Sequence, residues 1–151
     1  MKRIVSVLLV VLLFSSCVGM ASAAKTLDAD IDVVYFEDGS YLTTELIIDN
    51  VVATRASYSI SGHKNANYAN ASGELQWTFT VYGTFTYDGT TATATQASYG
   101  YQIYNDGWTL KSATAYCSGN QAIAEGTFKG GFLLNRSTTV TLTCSPSGVL
   151  S

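Results

Sequence analysis

Four aromatic residues around one predicted turn are the side chains best suited to ligand chemistry in this sequence. Tyr99, Tyr101 and Tyr104 precede the turn Asn105-Asp106-Gly107, and Trp108 follows it. Aromatic faces stack on the C–H faces of sugar rings, and neighbouring amide and carboxylate groups can bind the hydroxyls. The segment is therefore a candidate site for a sugar or a peptide. A second interpretation, which we favour, puts Tyr99 and Tyr101 on one sheet face and Trp108 in the core.

Acidic residues provide the only enzymatic alternative. A glycosidase needs two carboxylates about 5–10 Å apart, one of which acts as an acid. Glu45, Glu74, Asp106 and Glu125 are candidates, but the sequence alone brings no two of them together. We therefore expect no enzyme, and we retain a cell-wall or carbohydrate hydrolase as the alternative.

Other catalytic and metal chemistries are poorly supported. His63 is the single histidine, and no serine lies in the glycine pattern of a nucleophile elbow, which argues against a hydrolytic triad. Zinc takes three or four histidine or cysteine ligands, which this chain does not provide. Asp28, Asp30 and Asp32 alternate but lack the glycine and glutamate of an EF-hand loop, so we interpret them as the solvent face of a strand. No metal or other cofactor is expected.

The beginning of the chain has the pattern of a secretory signal peptide. Lys2 and Arg3 precede the apolar run 4–14, and small residues lead to Ala23. The apolar run is too short to span a bilayer, so no membrane insertion is expected after cleavage. We predict a signal peptide over 1–23 and one secreted domain over 24–151. Attachment of a lipid at Cys17, giving an anchored cell-surface protein, is the alternative.

Cleavage would also change the number of cysteines. Cys17 would be lost with the signal peptide, leaving Cys117 and Cys144. An even number of cysteines in an exported chain favours a disulfide. We therefore predict a bond between Cys117 and Cys144, with two buried free thiols as the alternative.

The charge balance limits the partners. Loss of Lys2 and Arg3 takes the basic residues from 8 to 6 against 11 acidic residues, so the formal charge becomes −5 instead of −3. This charge and the absence of a Lys/Arg cluster argue against nucleic acid and anionic lipid. An extracellular glycan or protein is the expected partner, and the oligomeric state is left open.

Alternation of apolar and polar residues dominates the region after the signal. It is clearest from Leu75 to Tyr87, where Gly83 is expected to bend the strand, and Asp88-Gly89 predicts a type I′ hairpin turn. A polar loop is expected over 65–73, with His63 just past a strand end. The remaining strands are predicted at 27–33, 41–48, 51–61, 91–103, 108–117, 121–129 and 138–144.

This pattern predicts an all-β fold. We expect an antiparallel β-sandwich of immunoglobulin-like architecture, and a closed up-and-down barrel is the alternative. The expected core contains Trp77, Phe79, Val81, Phe85, Trp108, Leu110, Val140 and Leu142.

The sequence from Ser57 to Asp88 resembles small secreted proteins of Gram-positive bacteria. The resemblance rests on Tyr58, on Ser61-Gly62, on Trp77-Thr78 and on the run 83–87, and the ending Leu142-Thr143-Cys144-Ser145 adds to it. These motifs are rich in Thr, Ser and Gly and carry no catalytic or binding residues. The resemblance implies a secreted all-β protein and no specific activity.

Taken together, these features predict a secreted, non-enzymatic module for binding or adhesion. The alternatives are a carbohydrate-binding module in the strict sense, the hydrolase described above, and a structural role with a protein partner. Export, strand content and scarcity of catalytic residue types support this expectation.

Overall fold

The structure of the protein is a computed structural model that describes residues 31–53, 58–131 and 133–151. The predicted signal peptide, Cys17, Asp28 and Asp30 lie outside the described residues. Within these ranges no helix has the length and hydropathy needed to cross a bilayer.

Eight strands form two antiparallel sheets. Each strand pairs with strands next to it in the sequence, so β1 to β5 make a five-stranded sheet and β6 to β8 a three-stranded sheet. The strands are β1 (Val33–Tyr35), β2 (Tyr41–Ala53), β3 (Tyr58–Ala69), β4 (Leu75–Tyr87), β5 (Ala92–Ile103), β6 (Trp108–Ser118), β7 (Gln121–Gly130) and β8 (Leu134–Thr143).

The two sheets pack face to face, which confirms the predicted antiparallel sandwich. The barrel alternative is not formed, because β1 and β5 remain edges of one sheet and β6 and β8 edges of the other. The strand order is that of a meander, whereas immunoglobulin domains use Greek-key connections. The likeness to those domains therefore extends to the two-layer architecture and not to the strand order.

The third strand continues through the region predicted as a polar loop. His63, Asn65 and Asn67 lie within β3, on the face of the sheet that points away from the core. Thr80 donates a 2.8 Å hydrogen bond to the Asn65 amide oxygen, and Thr78 donates one of the same length to Asn67. These cross-strand bonds accommodate asparagine, a residue that is rare in strands.

The fourth strand stays in one sheet, so the change of sheet predicted at Gly83 does not occur, although the register with β5 shifts just beyond it, between Thr84 and Phe85. The turn after this strand also differs from the prediction. Gly89 has a positive φ but Asp88 does not, which excludes a type I′ turn. Instead, the Asp88 carboxylate accepts hydrogen bonds of 2.8 and 2.7 Å from the backbone N–H groups of Thr90 and Thr91.

The core is built around stacked aromatic rings from both sheets. Trp77 stacks on Phe128 with centroids 3.9 Å apart, and Tyr68 stacks on the other side of Trp77 at 5.0 Å. The Trp108 ring meets Tyr68 and Trp77 edge to face. All of the predicted core residues are buried except Leu110, which is half-buried against the cluster.

Two glycines of β7 let these rings reach the backbone. A Cβ at Gly126 would lie 2.9 Å from the Phe79 ring, and one at Gly130 would lie 2.8 Å from the Trp108 ring. Such distances are far below a normal carbon–carbon contact of about 3.5–4.0 Å. Glycine at 126 is therefore required for the two sheets to pack this closely, and glycine at 130 leaves room for the Trp108 ring of the neighbouring strand in the same sheet.

The sandwich has two unlike sides. On the first, β8 lies over β3 and β4, and residues 145–151 fold back over β3 and the end of β4; we call this the closed side. On the other, the edge strands β5 and β6 lie beside each other without a ladder of backbone hydrogen bonds between them; we call this the open side.

Candidate functional site

Three of the four predicted ligand-binding residues lie along the open side. Tyr99 and Tyr101 share the inner face of β5, and Tyr104 follows in the turn to β6. Their exposed fractions are 40%, 52% and 50%. Because β5 is an edge strand, inner-face side chains reach solvent here although they point toward the other sheet. We call these three residues the tyrosine row.

The core holds the inner parts of two of these rings. The Tyr99 ring lies 5.9 Å from the Phe79 ring, and the Tyr101 ring meets Phe128 nearly edge-on at 6.5 Å. Both partners are fully buried. The exposed parts of the tyrosines are therefore fixed in position before any ligand arrives, which lowers the entropy cost of binding.

The position of Tyr104 is set by the turn between β5 and β6. Its backbone N–H donates to the Gln76 carbonyl at 2.9 Å, and the Asn105 side chain donates to the Gln76 side-chain oxygen at 2.9 Å. Asn105 also accepts a bond from Gly107 across the turn. This network holds the turn that places the exposed Asp106 at the end of the row.

Trp108 does not belong to this site. Only 8% of its surface is exposed, and its ring packs against Gly130, Tyr68 and Trp77. The interpretation of Trp108 as a core residue is thus confirmed, and its role in ligand binding is corrected. Tyr99 and Trp108 both occupy inward positions of their strands, and the difference in exposure comes from the rings packed around Trp108.

The outer faces of the sheets carry polar side chains that the sequence did not mark as sites. On the three-stranded sheet, a shallow depression of about 390 Å³ is lined by hydroxyl groups and Glu125. The Tyr116 hydroxyl donates a 3.0 Å bond to Glu125, which raises the pKa of the tyrosine. On the five-stranded sheet, His63 lies 2.8 Å from the Asp49 carboxylate and beside the Tyr82 ring.

Two of the four candidate carboxylates lie on opposite sides of the sandwich. Glu45 lies on the outer face of the five-stranded sheet and Glu125 on the outer face of the other, so the full thickness of the sandwich, more than about 10 Å, separates them. Glu74 accepts a 2.8 Å bond from the Asn70 amide in the turn before β4. Within the described ranges, no three His, Cys, Asp or Glu side chains converge as metal ligands would.

The disulfide predicted between Cys117 and Cys144 is not formed; both residues are free thiols. Cys117 pairs with Ala122 of β7, which pairs on its other side with Leu142, and Cys144 lies two residues further along. Two strand spacings amount to about 10 Å, whereas a disulfide needs Cα atoms within about 7 Å. The intervening β7 therefore keeps the cysteines apart.

Comparison of the chain with protein-family models, with curated proteins and with solved structures finds no match.

Proposed function

We propose that this chain is an exported, non-enzymatic binding module whose tyrosine row contacts an extracellular glycan. The observation that carries the proposal is the position of Tyr99, Tyr101 and Tyr104 on one side of the sandwich. All three are about half exposed, and two are anchored by buried rings.

The surroundings of the row suit a neutral, hydroxyl-rich ligand. Asn105 and Asp106 are exposed in the turn after Tyr104 and can donate or accept hydrogen bonds at this end of the row. Tyrosine itself combines an apolar ring with a hydroxyl, and it loses little side-chain entropy on binding. The formal charge of −3 for the full chain disfavours strongly anionic ligands.

The hydrolase alternative has less support from the geometry. A glycosidic bond must be flanked by two carboxylates, and Glu45 and Glu125 lie on opposite outer faces. Glu74 is bound to Asn70, and Asp106 lies in a separate turn. We therefore propose binding without turnover.

A glycan array tests this proposal. We expect wild-type protein to bind a subset of neutral glycans, and the variant Tyr99→Ala/Tyr101→Ala/Tyr104→Ala to lose at least about 1.4 kcal/mol, a tenfold loss in affinity. The matched control is Tyr35→Ala/Tyr58→Ala/Tyr116→Ala, which removes three other exposed tyrosines and should bind normally.

Two results would contradict the proposal. The first is equal binding by the two triple variants, which would show that the tyrosine row is not part of the binding site. The second is release of reducing ends from a bound glycan that stops when one acid, such as Glu125, is changed to its amide. That outcome would support the hydrolase.

A further inference from the structure

The β5 edge differs from the other three sheet edges. It is the last strand of the five-stranded sheet, and its neighbour is β4 alone. At its start, the Ala94 N–H donates to the Gly119 carbonyl at 2.8 Å, so the turn between β6 and β7 covers this part. From Gln96 to Ile103, the described structure contains no further backbone partner on the open side.

The other three edges carry features that hinder pairing with another chain. The strand β1 has only three residues. The edge of β6 is interrupted by a bulge at Lys111, which adds a charge. The end of β8 is covered because Thr143 exchanges two backbone hydrogen bonds with Ser151, of 2.9 and 3.0 Å. Short strands, bulges, lysines and covering segments are the usual protection of sheet edges.

The exposed stretch of β5 has none of these features. Residues 96–103 read QASYGYQI, without a charge or a proline, and pair regularly with β4. The bulge in this strand lies earlier, at Thr95, where the register with β4 shifts. A long, regular and uncharged edge presents a row of N–H and C=O groups that a further strand can join.

We propose that this edge pairs with the same edge of a second copy of the chain, forming a two-fold dimer with one continuous sheet. The Tyr104 N–H points to β4, so by alternation the backbone groups of Tyr99 and Tyr101 point outward. Antiparallel pairing about Gly100 joins Tyr99 of each copy to Tyr101 of the other. It also sets the two glycines opposite each other, where strands approach most closely, at about 4.5 Å between Cα atoms.

The segment is self-complementary in this register. Tyr99 and Tyr101 of the two copies become direct cross-strand neighbours, a favourable aromatic pair, and Ser98 faces Gln102 on the outer side. The paired stretch 96–103 carries no charged side chain, and Asp106 lies beyond its end. The acidic chain can therefore approach itself along this line without direct repulsion between like charges.

The dimer would also reshape the tyrosine row. The two-fold axis is normal to the sheet, so the three-stranded sheets of both copies lie on the same side. Four tyrosines then form the floor of a groove between the two β6 strands. Dimer formation does not rest on the proposed function, because it is measured without a glycan. The two proposals are connected only through the groove, which would offer the tyrosines of both copies to one glycan.

The test uses the chain from residue 24 onward and measures sedimentation over a hundredfold range of protein concentration. Wild type is expected to convert from monomer to dimer. Ser98→Lys/Gln102→Lys puts lysines opposite each other across the interface and should raise the dimer dissociation constant by at least about tenfold. Thr114→Lys/Ser118→Lys adds the same charge on the outer side of β6 and should dimerise as wild type does. Circular dichroism checks that all three are folded.

Cysteine cross-linking tests the register. In a Cys117→Ser background, a mixture of Ser98→Cys and Gln102→Cys proteins should form a disulfide-linked dimer, and each variant alone should not. Mixed Thr114→Cys and Ser118→Cys proteins are the control. A wild type that stays monomeric throughout, a dimer that tolerates the lysines at 98 and 102, or cross-linking that does not require both variants would overturn the proposal.

Discussion

The closed and open sides of this sandwich differ in how the edges of the two sheets are covered. On the closed side, Arg136 of β8 binds Asp38 and donates to the Tyr68 hydroxyl, and its guanidinium lies 4.5 Å from the centre of the Phe36 ring. Leu150 in the tail is inserted against Gly62 of β3. On the open side, the described residues include no segment that covers either edge strand beyond the turn at Gly119.

The difference shows where this chain uses its residues for stability and where it leaves surface for contacts. The closed side joins turn, strand and tail through a charge, aromatic rings and backbone bonds. The open side offers half-exposed tyrosines and unpaired backbone groups, which contribute little to the isolated chain. Changes on the closed side should therefore lower stability, and changes on the open side should mainly alter reactivity and association.

The largest effect is expected from Leu150→Ala. This side chain is 3% exposed and fills the space over Gly62, so its loss leaves a cavity and should lower the free energy of unfolding by about 2–5 kcal/mol. Val149→Ala, one residue earlier and largely exposed, is the matched control and should cost less than about 0.5 kcal/mol. Urea unfolding measures both. Equal losses would mean that the tail does not close this side.

A smaller, pH-dependent effect is expected from Asp38→Asn. Hydrogen bonds from the side chain and backbone of Ser40, and the nearby Arg136, lower the pKa of Asp38 from its model-compound value of 3.8. Since the folded pKa is the lower one, the carboxylate stabilises the fold above pH 3.8, and this stabilisation is lost as the pH falls through the folded value.

The melting temperature of wild type should therefore fall more steeply below pH 4 than that of Asp38→Asn, and the two should converge in acid. Asp88→Asn removes a carboxylate whose pKa is lowered by Thr91 and Thr90 within its own turn. When each variant is combined with Arg136→Met, the losses in melting temperature should be non-additive for Asp38→Asn and additive for Asp88→Asn. Additive losses in both pairs would show that Asp38 and Arg136 do not couple the two sheets on the closed side.

The smallest effect on stability, but a clear chemical one, is expected at the cysteines. Cys117 is exposed on β6, whereas Cys144 is buried beneath the tail, and burial raises the pKa of its thiol. In the chain from residue 24 onward, which lacks Cys17, an aromatic disulfide reagent should therefore modify one thiol rapidly in the native protein and the second only on unfolding. Cys117→Ser should abolish the rapid phase without a change in unfolding free energy. Two rapid thiols, or none, would contradict the assignment of exposure.

The sequence was most informative where alternation was strict. Trp77, Phe79 and Phe85 were predicted in the core and are fully buried, because hydrophobic alternation sets the face of a strand directly. The second half of β3 was missed, since its outer positions are asparagines whose cross-strand partners, Thr78 and Thr80, lie more than ten residues away.

The site was less predictable than the fold because exposure depends on strand order. Tyr99 and Trp108 both point inward from edge strands, but Tyr99 is 40% exposed whereas Trp108 is covered by Tyr68, Trp77 and Gly130, contacts that depend on how the strands are arranged. The cysteines illustrate the same limit. An even number favoured a disulfide, but the insertion of β7 between their strands could not be deduced from composition.

The meander order of the strands has a consequence for folding kinetics. Each strand hydrogen-bonds only to neighbours in sequence, so every hairpin closes a short loop at low entropic cost and can form within microseconds. The stacking of Trp77 on Phe128 joins distant parts of the chain and must wait until both sheets exist. We expect docking of the two preformed sheets, with the ring of Phe79 settling over Gly126, to be the slow step by which this chain reaches its native state.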